Sequence, residues 1–212
     1  MDEEIAIIDS NTRLEKIKVF FSRNKKKIIY IAVFILLILI GYFSFNELNK
    51  RQKIKTSNLY NSAIINFSEK NKDQVTKKLI EIIKKKDPTY SPLSLFFLID
   101  NNLILESKKI NDLFDTVIFE TNLEKEIKNL IIYKKGLFNA DLLAEDEILD
   151  ILSPLINSES IWSSHALYLL AEYFYFNDEK IKSKEFFEKV LTKENANPDI
   201  VKEVKKRLKR DF

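Results

Sequence analysis

An uncharged run of eighteen residues, Ile28 to Phe45 (IIYIAVFILLILIGYFSF), constrains this chain more than any other feature. At about 1.5 Å per residue it makes a helix of roughly 27 Å, close to the ~30 Å hydrocarbon core of a bilayer. Tyr30, Tyr42 and Phe43 stand near its ends, where aromatic side chains suit the membrane interface. A cleavable signal peptide has a shorter apolar centre and a small-residue exit, and the exit here, GYFSFN, lacks that pattern. A buried helix of a soluble protein shows an apolar stripe, whereas this run is apolar all round. Residues 28–45 are therefore expected to form a single transmembrane helix in a lipid bilayer.

The flanks orient it. Seven basic residues (Arg13, Lys16, Lys18, Arg23, Lys25, Lys26, Lys27) precede the run, and four (Lys50, Arg51, Lys53, Lys55) follow closely. The positive-inside bias puts residues 1–27, a short basic tail, in the cytoplasm and residues 46–212 on the other side. Within the tail Leu14, Ile17, Phe20 and Phe21 recur at helical spacing, with Lys16, Lys18 and Arg23 on other faces. That pattern fits either an amphipathic helix on anionic lipid or an undocked tail.

Residues 46–212 have the length of one ordinary domain. The whole sequence holds two glycines and four prolines, too few turn residues for a sheet protein, so an all-α fold is expected. Helical periodicity predicts helices at 47–69, 73–86, 92–106, 108–120, 123–138, 145–157, 161–176, 179–193 and 198–210. Asp87-Pro88, Ser91-Pro92 and Asn197-Pro198 mark boundaries, and Asn177-Asp178 marks a turn. Helix pairs begin near 47, 92, 123 and 161, a drifting period that suggests stacked hairpins of the tetratricopeptide (TPR) type. The expectation is a TPR-like α-solenoid of about four helical hairpins with a C-terminal capping helix. The clearest repeat is the last, with Leu167, Leu170, Ala171 and Phe174 packing against Ser183, Phe187, Val190 and Leu191. The small-residue pattern of such repeats is not legible in the first three. Ile200, Val201, Val204 and Leu208 give 198–210 one apolar face, and its six basic residues spread around the others, as a solenoid cap requires.

Catalytic sets are hard to assemble from this sequence. With no cysteine and His165 as the sole histidine, thiolate chemistry and a zinc histidine cluster are excluded. Each glycine stands alone, so no phosphate loop exists, and neither cofactor, metal nor small-molecule substrate is expected. The acidic Glu145-Asp146-Glu147 is accounted for by the dipole at a helix start. Beyond residue 45, 28 basic residues face 27 acidic ones with no basic stripe, so nucleic acid is not an expected partner. The chain reads as a non-enzyme.

Protein partners remain. On the helix of the last repeat, His165, Tyr168, Glu172 and Tyr175 form a second stripe beside the buried one. Two readings stand: a partner-binding stripe on the concave groove, or packing of Tyr168 and Tyr175 against the cap helix or the preceding hairpin.

Three stretches carry a family resemblance: the tail DSNTRLEKIKVFFSRNKKKI behind an acidic start, ILSPLINSESIWSSHALYLLAE, and FFEKVLTKENANPDIVKEVKKRL. With the apolar run they resemble bacterial inner-membrane proteins that carry one N-terminal anchor and a periplasmic TPR-like domain, described as ancillary subunits of the Sec translocon. The resemblance implies a scaffold at the periplasmic face, with translocon subunits, emerging chains or periplasmic chaperones as partners. An envelope-organising protein of cell division or wall assembly, or a cytosol-facing membrane adaptor, are the alternatives built on the same module.

Overall fold

The computed structural model describes residues 2–212, and of the side chains those of 18–20, 22–27, 29–31 and 33–212. The tail face read from Leu14, Ile17 and Phe21 falls outside the described side chains. The chain separates into two compact units, residues 1–55 and 56–212.

The described residues of the first unit belong to α1 (Asp2–Ile65), one continuous helix. From Ile29 to Phe45 its described apolar side chains are largely exposed, from 47% at Leu39 to 73% at Tyr30. No proline or glycine stands between Gly41 and Ile65, so the helix expected at 47–69 is not separate; it is the end of α1. It stops at Ile65, four residues early, because a 3-10 turn at Glu69–Asn71 intervenes, where Asn71 accepts from the Ser68 amide at 2.9 Å.

The second unit is built from the last turns of α1 and eight further helices: α2 (Lys72–Lys84), α3 (Tyr90–Asp100), α4 (Ser107–Asp115), α5 (Lys125–Asn139), α6 (Glu145–Ile156), α7 (Ser163–Phe176), α8 (Lys180–Leu191) and α9 (Pro198–Asp211). In chain order they fall into pairs, α1 end with α2, α3 with α4, α5 with α6 and α7 with α8, closed by α9, and α2 and α3 pack closely on each other between the first two pairs. Among the described residues there is no strand.

Local chemistry explains most boundaries. Asp87 accepts from the Thr89 and Tyr90 amides at 2.9 and 2.8 Å and opens α3. Asn197 caps α9 in the same way, accepting from Asp199 and Ile200 at 2.9 and 3.3 Å, with Pro198 preset for the first turn. Glycine, scarce here, is replaced at helix ends by Lys86, Asn102 and Asp178, which take positive φ values of 56°, 50° and 60°. Asn102 corrects one expectation. It ends α3 six residues before 106 and turns Leu103 and Ile104 into the core as extended chain. A second correction lies at 108–120, where α4 gives way to a π-helical turn, Thr116–Glu120. There β-branched Val117 and Ile118 are both buried, and the wider turn lets the two face inward together.

Small residues let paired helices approach. A Cβ at Gly136 of α5 would stand 2.4 Å from Leu152 Cδ2 of α6. Ser91 of α3, fully buried, donates to the Ile82 and Ile83 carbonyls of α2 at 3.2 and 3.3 Å. Ser183 of α8 donates to the Ala171 carbonyl of α7 at 2.8 Å. Small residues thus stand at two earlier approaches as well, glycine within the α5–α6 hairpin and serine where α3 meets α2 of the preceding pair. Of the expected α7–α8 packing residues all are buried except Leu191, which is 40% exposed at the end of α8.

Gly136→Val is expected to destabilise the domain by about 1–3 kcal/mol, the usual cost of overpacking a filled core. Because the three atoms nearest an added Cβ all belong to Leu152, Gly136→Val combined with Leu152→Ala should cost clearly less than the sum of the two single changes. Thermal melts followed by circular dichroism give the three values, and simple additivity would refute the close approach.

Candidate functional site

The first helix of the last hairpin, α7, lies between α5 and α9. A step of seven residues along a helix returns to within about 20° of its starting direction. The four-residue stripe therefore resolves into two lines, His165 with Glu172 and Tyr168 with Tyr175. On the first line His165 points to α5. The His165 ring lies 4.9 Å from that of Trp162 and 5.6 Å from that of Tyr133, which itself stacks on Trp162 at 5.8 Å. Burial lowers the His165 pKa, opposed by its contact with the Ile161 carbonyl.

The second line meets the cap. Tyr168 sits edge-on to Phe187 at 5.6 Å, and burial, then a hydrogen bond with Glu172, push its phenol up to about 12. Tyr175 sits edge-on to Phe212 at 6.0 Å, with the Arg207 guanidinium 4.7 Å over its ring. Arg207 gathers this end of the domain. It pairs with Glu172 and, at 2.5 Å, with Asp211, and its side chain is 11% exposed. The hydrogen bond from Arg210, opposed by burial and reinforced by Arg207, holds the Asp211 carboxyl at about 2. Tyr175 thus packs against the cap and Glu172 pairs with its Arg207, Tyr168 packs on Phe187 of α8, and His165 joins an aromatic cluster with α5.

Two open clefts run between first helices. One, about 460 Å³, lies between α3 and α5 and is lined by Pro88, Pro92, Leu93, Phe96, Ile127 and Leu130 among others. Leu93 and Ile127 are 43% and 42% exposed there. The other, about 420 Å³, lies between α5 and α7 and includes Leu137, Ala140, Asp141, Leu169, Glu172 and Phe176. Phe176 is 82% exposed, one of the most open apolar side chains in the domain. A smaller cleft of about 250 Å³ beside the π-helical turn includes Ile118, Phe119 and Pro154. Of these side chains only Glu172 belongs to the stripe read from the sequence. The signal for the others was present: Leu93, Ile127, Leu137 and Phe176 are apolar positions that the core stripes of their helices do not use.

The neighbours of the His165 ring are two aromatic rings and a backbone carbonyl. Among the described residues no group of three or more His, Asp or Glu is placed to hold a metal ion.

Residues 18–104 match the family of tetratricopeptide repeat-like domains. The matched stretch covers most of α1, then α2 and α3, and stops at Ile104, so it lies apart from the α7–α8 hairpin where the repeat pattern is clearest in the sequence. No curated protein and no solved structure shows a significant match. Hairpin order, cap and family match together define a TPR-like helical repeat domain behind one long apolar helix. Domains of this kind are generally scaffolds for protein–protein interaction and not catalysts.

Arg207→Ala leaves Glu172 without its cation, leaves Asp211 to Arg210 alone, and removes the cover of Tyr175 and Phe187, so it should cost about 3 kcal/mol. The pH dependence follows from two groups. Asp211, held low, contributes stability above its ordinary pKa near 4, lost as pH falls through about 2. Tyr168, held high, contributes stability below about 10, lost as pH rises through about 12. Melting temperatures across both windows should show these slopes, with the acid one reduced in Arg207→Ala; an unchanged acid slope would contradict the network.

Proposed function

We propose that this chain is a membrane-anchored, non-catalytic protein-interaction scaffold. Residues 28–45 of α1 lie in the lipid bilayer, residues 1–27 in the cytoplasm, and the helical domain on the periplasmic face of a bacterial inner membrane. The observation that carries the scaffold reading is the pair of open apolar clefts between first helices, α3 with α5 and α5 with α7. Such side-by-side first helices are where hairpin repeats receive partners. Exposure of Leu93, Ile127 and Phe176 leaves apolar surface that a partner chain would cover.

The anchor is supported by length and composition. Among the described residues one helix is long and apolar enough to cross a membrane, and its described apolar side chains from Ile29 to Phe45 are exposed. The excess of basic residues before that window supports the orientation. Assignment as an accessory of the Sec translocon or of a periplasmic chaperone network rests on the resemblance of the tail, the 151–172 stretch and the 186–208 stretch. Translocon subunits, emerging chains or periplasmic chaperones are then the partners, without nucleic acid or small-molecule substrate. Of the four-residue stripe, His165 and Glu172 face the α5–α7 side and take part in binding, while Tyr168 and Tyr175 hold the cap on which that surface depends.

A reporter active only in the periplasm, fused after Phe212, is expected to be active; activity from a cytosol-only reporter would support the cytosol-facing adaptor instead. Photocrosslinkers placed at Leu93 in full-length protein in intact membranes should capture translocon subunits or chains in transit, and those at exposed Ile181 on α8 should not. Capture of division or wall-synthesis proteins would favour the envelope-organising alternative.

A further inference from the structure

The α5–α7 cleft differs from the α3–α5 cleft in its charge. Asp141 and Glu172 line it directly. The chain then fixes the start of α6 at its mouth by two ties. Tyr173, also in the lining, donates its hydroxyl to the Leu143 carbonyl at 3.1 Å. Lys182 of α8 holds Glu145 at 2.7 Å and Glu179 at 2.6 Å. The phenol of Tyr173 is raised by burial first and then by the charges of Glu145, Glu179, Asp146 and Glu147, which places all four carboxylates within electrostatic reach of the lining. Two carboxylates therefore line an apolar trough and the acidic start of α6 stands at its mouth, while Lys182 and Arg207 are already held by Glu145, Glu179 and Glu172.

Apolar side chains mark the floor and lip. Leu137, Leu142 and Phe176 are 46%, 54% and 82% exposed, and the first and last of these line the cleft. A water-facing Phe beside fixed like charges is unfavourable surface that an apolar group flanked by cations would relieve on both counts. An acidic or neutral partner gains only the apolar part.

We infer that the α5–α7 cleft receives a basic amphipathic segment of a partner protein, one that inserts large apolar side chains beside Phe176 and sets lysine or arginine against the Asp141–Glu147 rim. This rests on the scaffold reading above and names the chemistry of its partner. The apolar anchor supplies contact area, and the rim supplies selectivity and a salt-dependent association rate.

The test uses full-length protein in a non-ionic detergent and a labelled peptide in which phenylalanines are flanked by lysines, with a counterpart carrying glutamates. Fluorescence anisotropy should show binding of the lysine peptide that weakens as salt rises, and at most weak binding of the glutamate peptide. Asp141→Lys with Asp146→Lys, both exposed positions, should weaken the lysine peptide by about tenfold or more and improve the glutamate peptide. Phe176→Ser should weaken the lysine peptide by about as much without changing the salt dependence. Unchanged melting temperatures establish that each variant is folded. Equal binding of both peptides, or wild-type affinity in the charge variant, overturns the inference. So does loss of a wild-type dimer in Phe176→Ser with no peptide binding, which would assign the cleft to a second copy of this chain. In membranes, partner crosslinks that persist undiminished in the folded charge variant overturn the cleft assignment and leave the scaffold reading standing, whereas the absence of any protein crosslink in the wild type removes the scaffold reading itself.

Discussion

The helical domain depends on backbones coming close at a few positions where the side chain is nearly absent. With no disulfide available, packing must hold each hairpin, and packing is only dense where helices can approach. Gly136 allows it for α5 and α6, where a single added carbon would collide with Leu152. In α2–α3 and α7–α8 the same closeness is reached with serine. A buried hydroxyl is costly unless it is bonded, and Ser91 and Ser183 both solve this by donating across the interface to a carbonyl of the partner helix. The hydrogen bond thereby ties the two helices in one relative position, which an alanine could not do.

A stack of hairpins ends in an open apolar face, and the last helix has to close it without becoming insoluble itself. α9 manages this with only Val204 fully buried and Ile200, Val201 and Leu208 half-covered. The rest of the seal is polar. Arg207 lays its guanidinium over Tyr175 and Phe187 while satisfying Glu172 and Asp211, so one side chain supplies apolar cover and charge pairing together. The basic character of α9, read in the sequence as a solvated cap, thus has a specific purpose at one position of six.

Helix type and most boundaries were legible because they rest on local chemistry: Asp87 and Asn197 as caps, Asn177-Asp178 as a turn, and 3.6-residue apolar periodicity. What was not legible depends on residues far apart in sequence. Asn102 looks no different from Asn101, yet only the tertiary need to bury Leu103 and Ile104 decides that α3 ends there. Asn139 is fully buried because Asn111, 28 residues earlier, exchanges amide hydrogen bonds with it at 2.9 and 2.8 Å. The stripe on α7 was visible as four side chains on one side of a helix, but spacing alone cannot tell that α5 claims His165, α8 claims Tyr168 and the cap claims Glu172 and Tyr175. Periodicity says which residues share a face; it does not say what stands opposite.

The clefts survive for a related reason. α7 is covered on one side by α9, which has Arg207 and Phe212 to fill the space, whereas on the α5 side the facing residues at Leu137 and Ala140 are too short to close the gap to Phe176. Clefts of about 420 and 460 Å³ bury little area, and a partner held by one of them alone would bind weakly. The proposed anchor changes that arithmetic. A domain confined near a membrane partner meets it at an effective concentration on the order of millimolar for a short tether, so even a dissociation constant near that value gives substantial occupancy. A shallow cleft and an apolar helix are therefore complementary: the helix supplies encounter, and the cleft has only to supply selectivity.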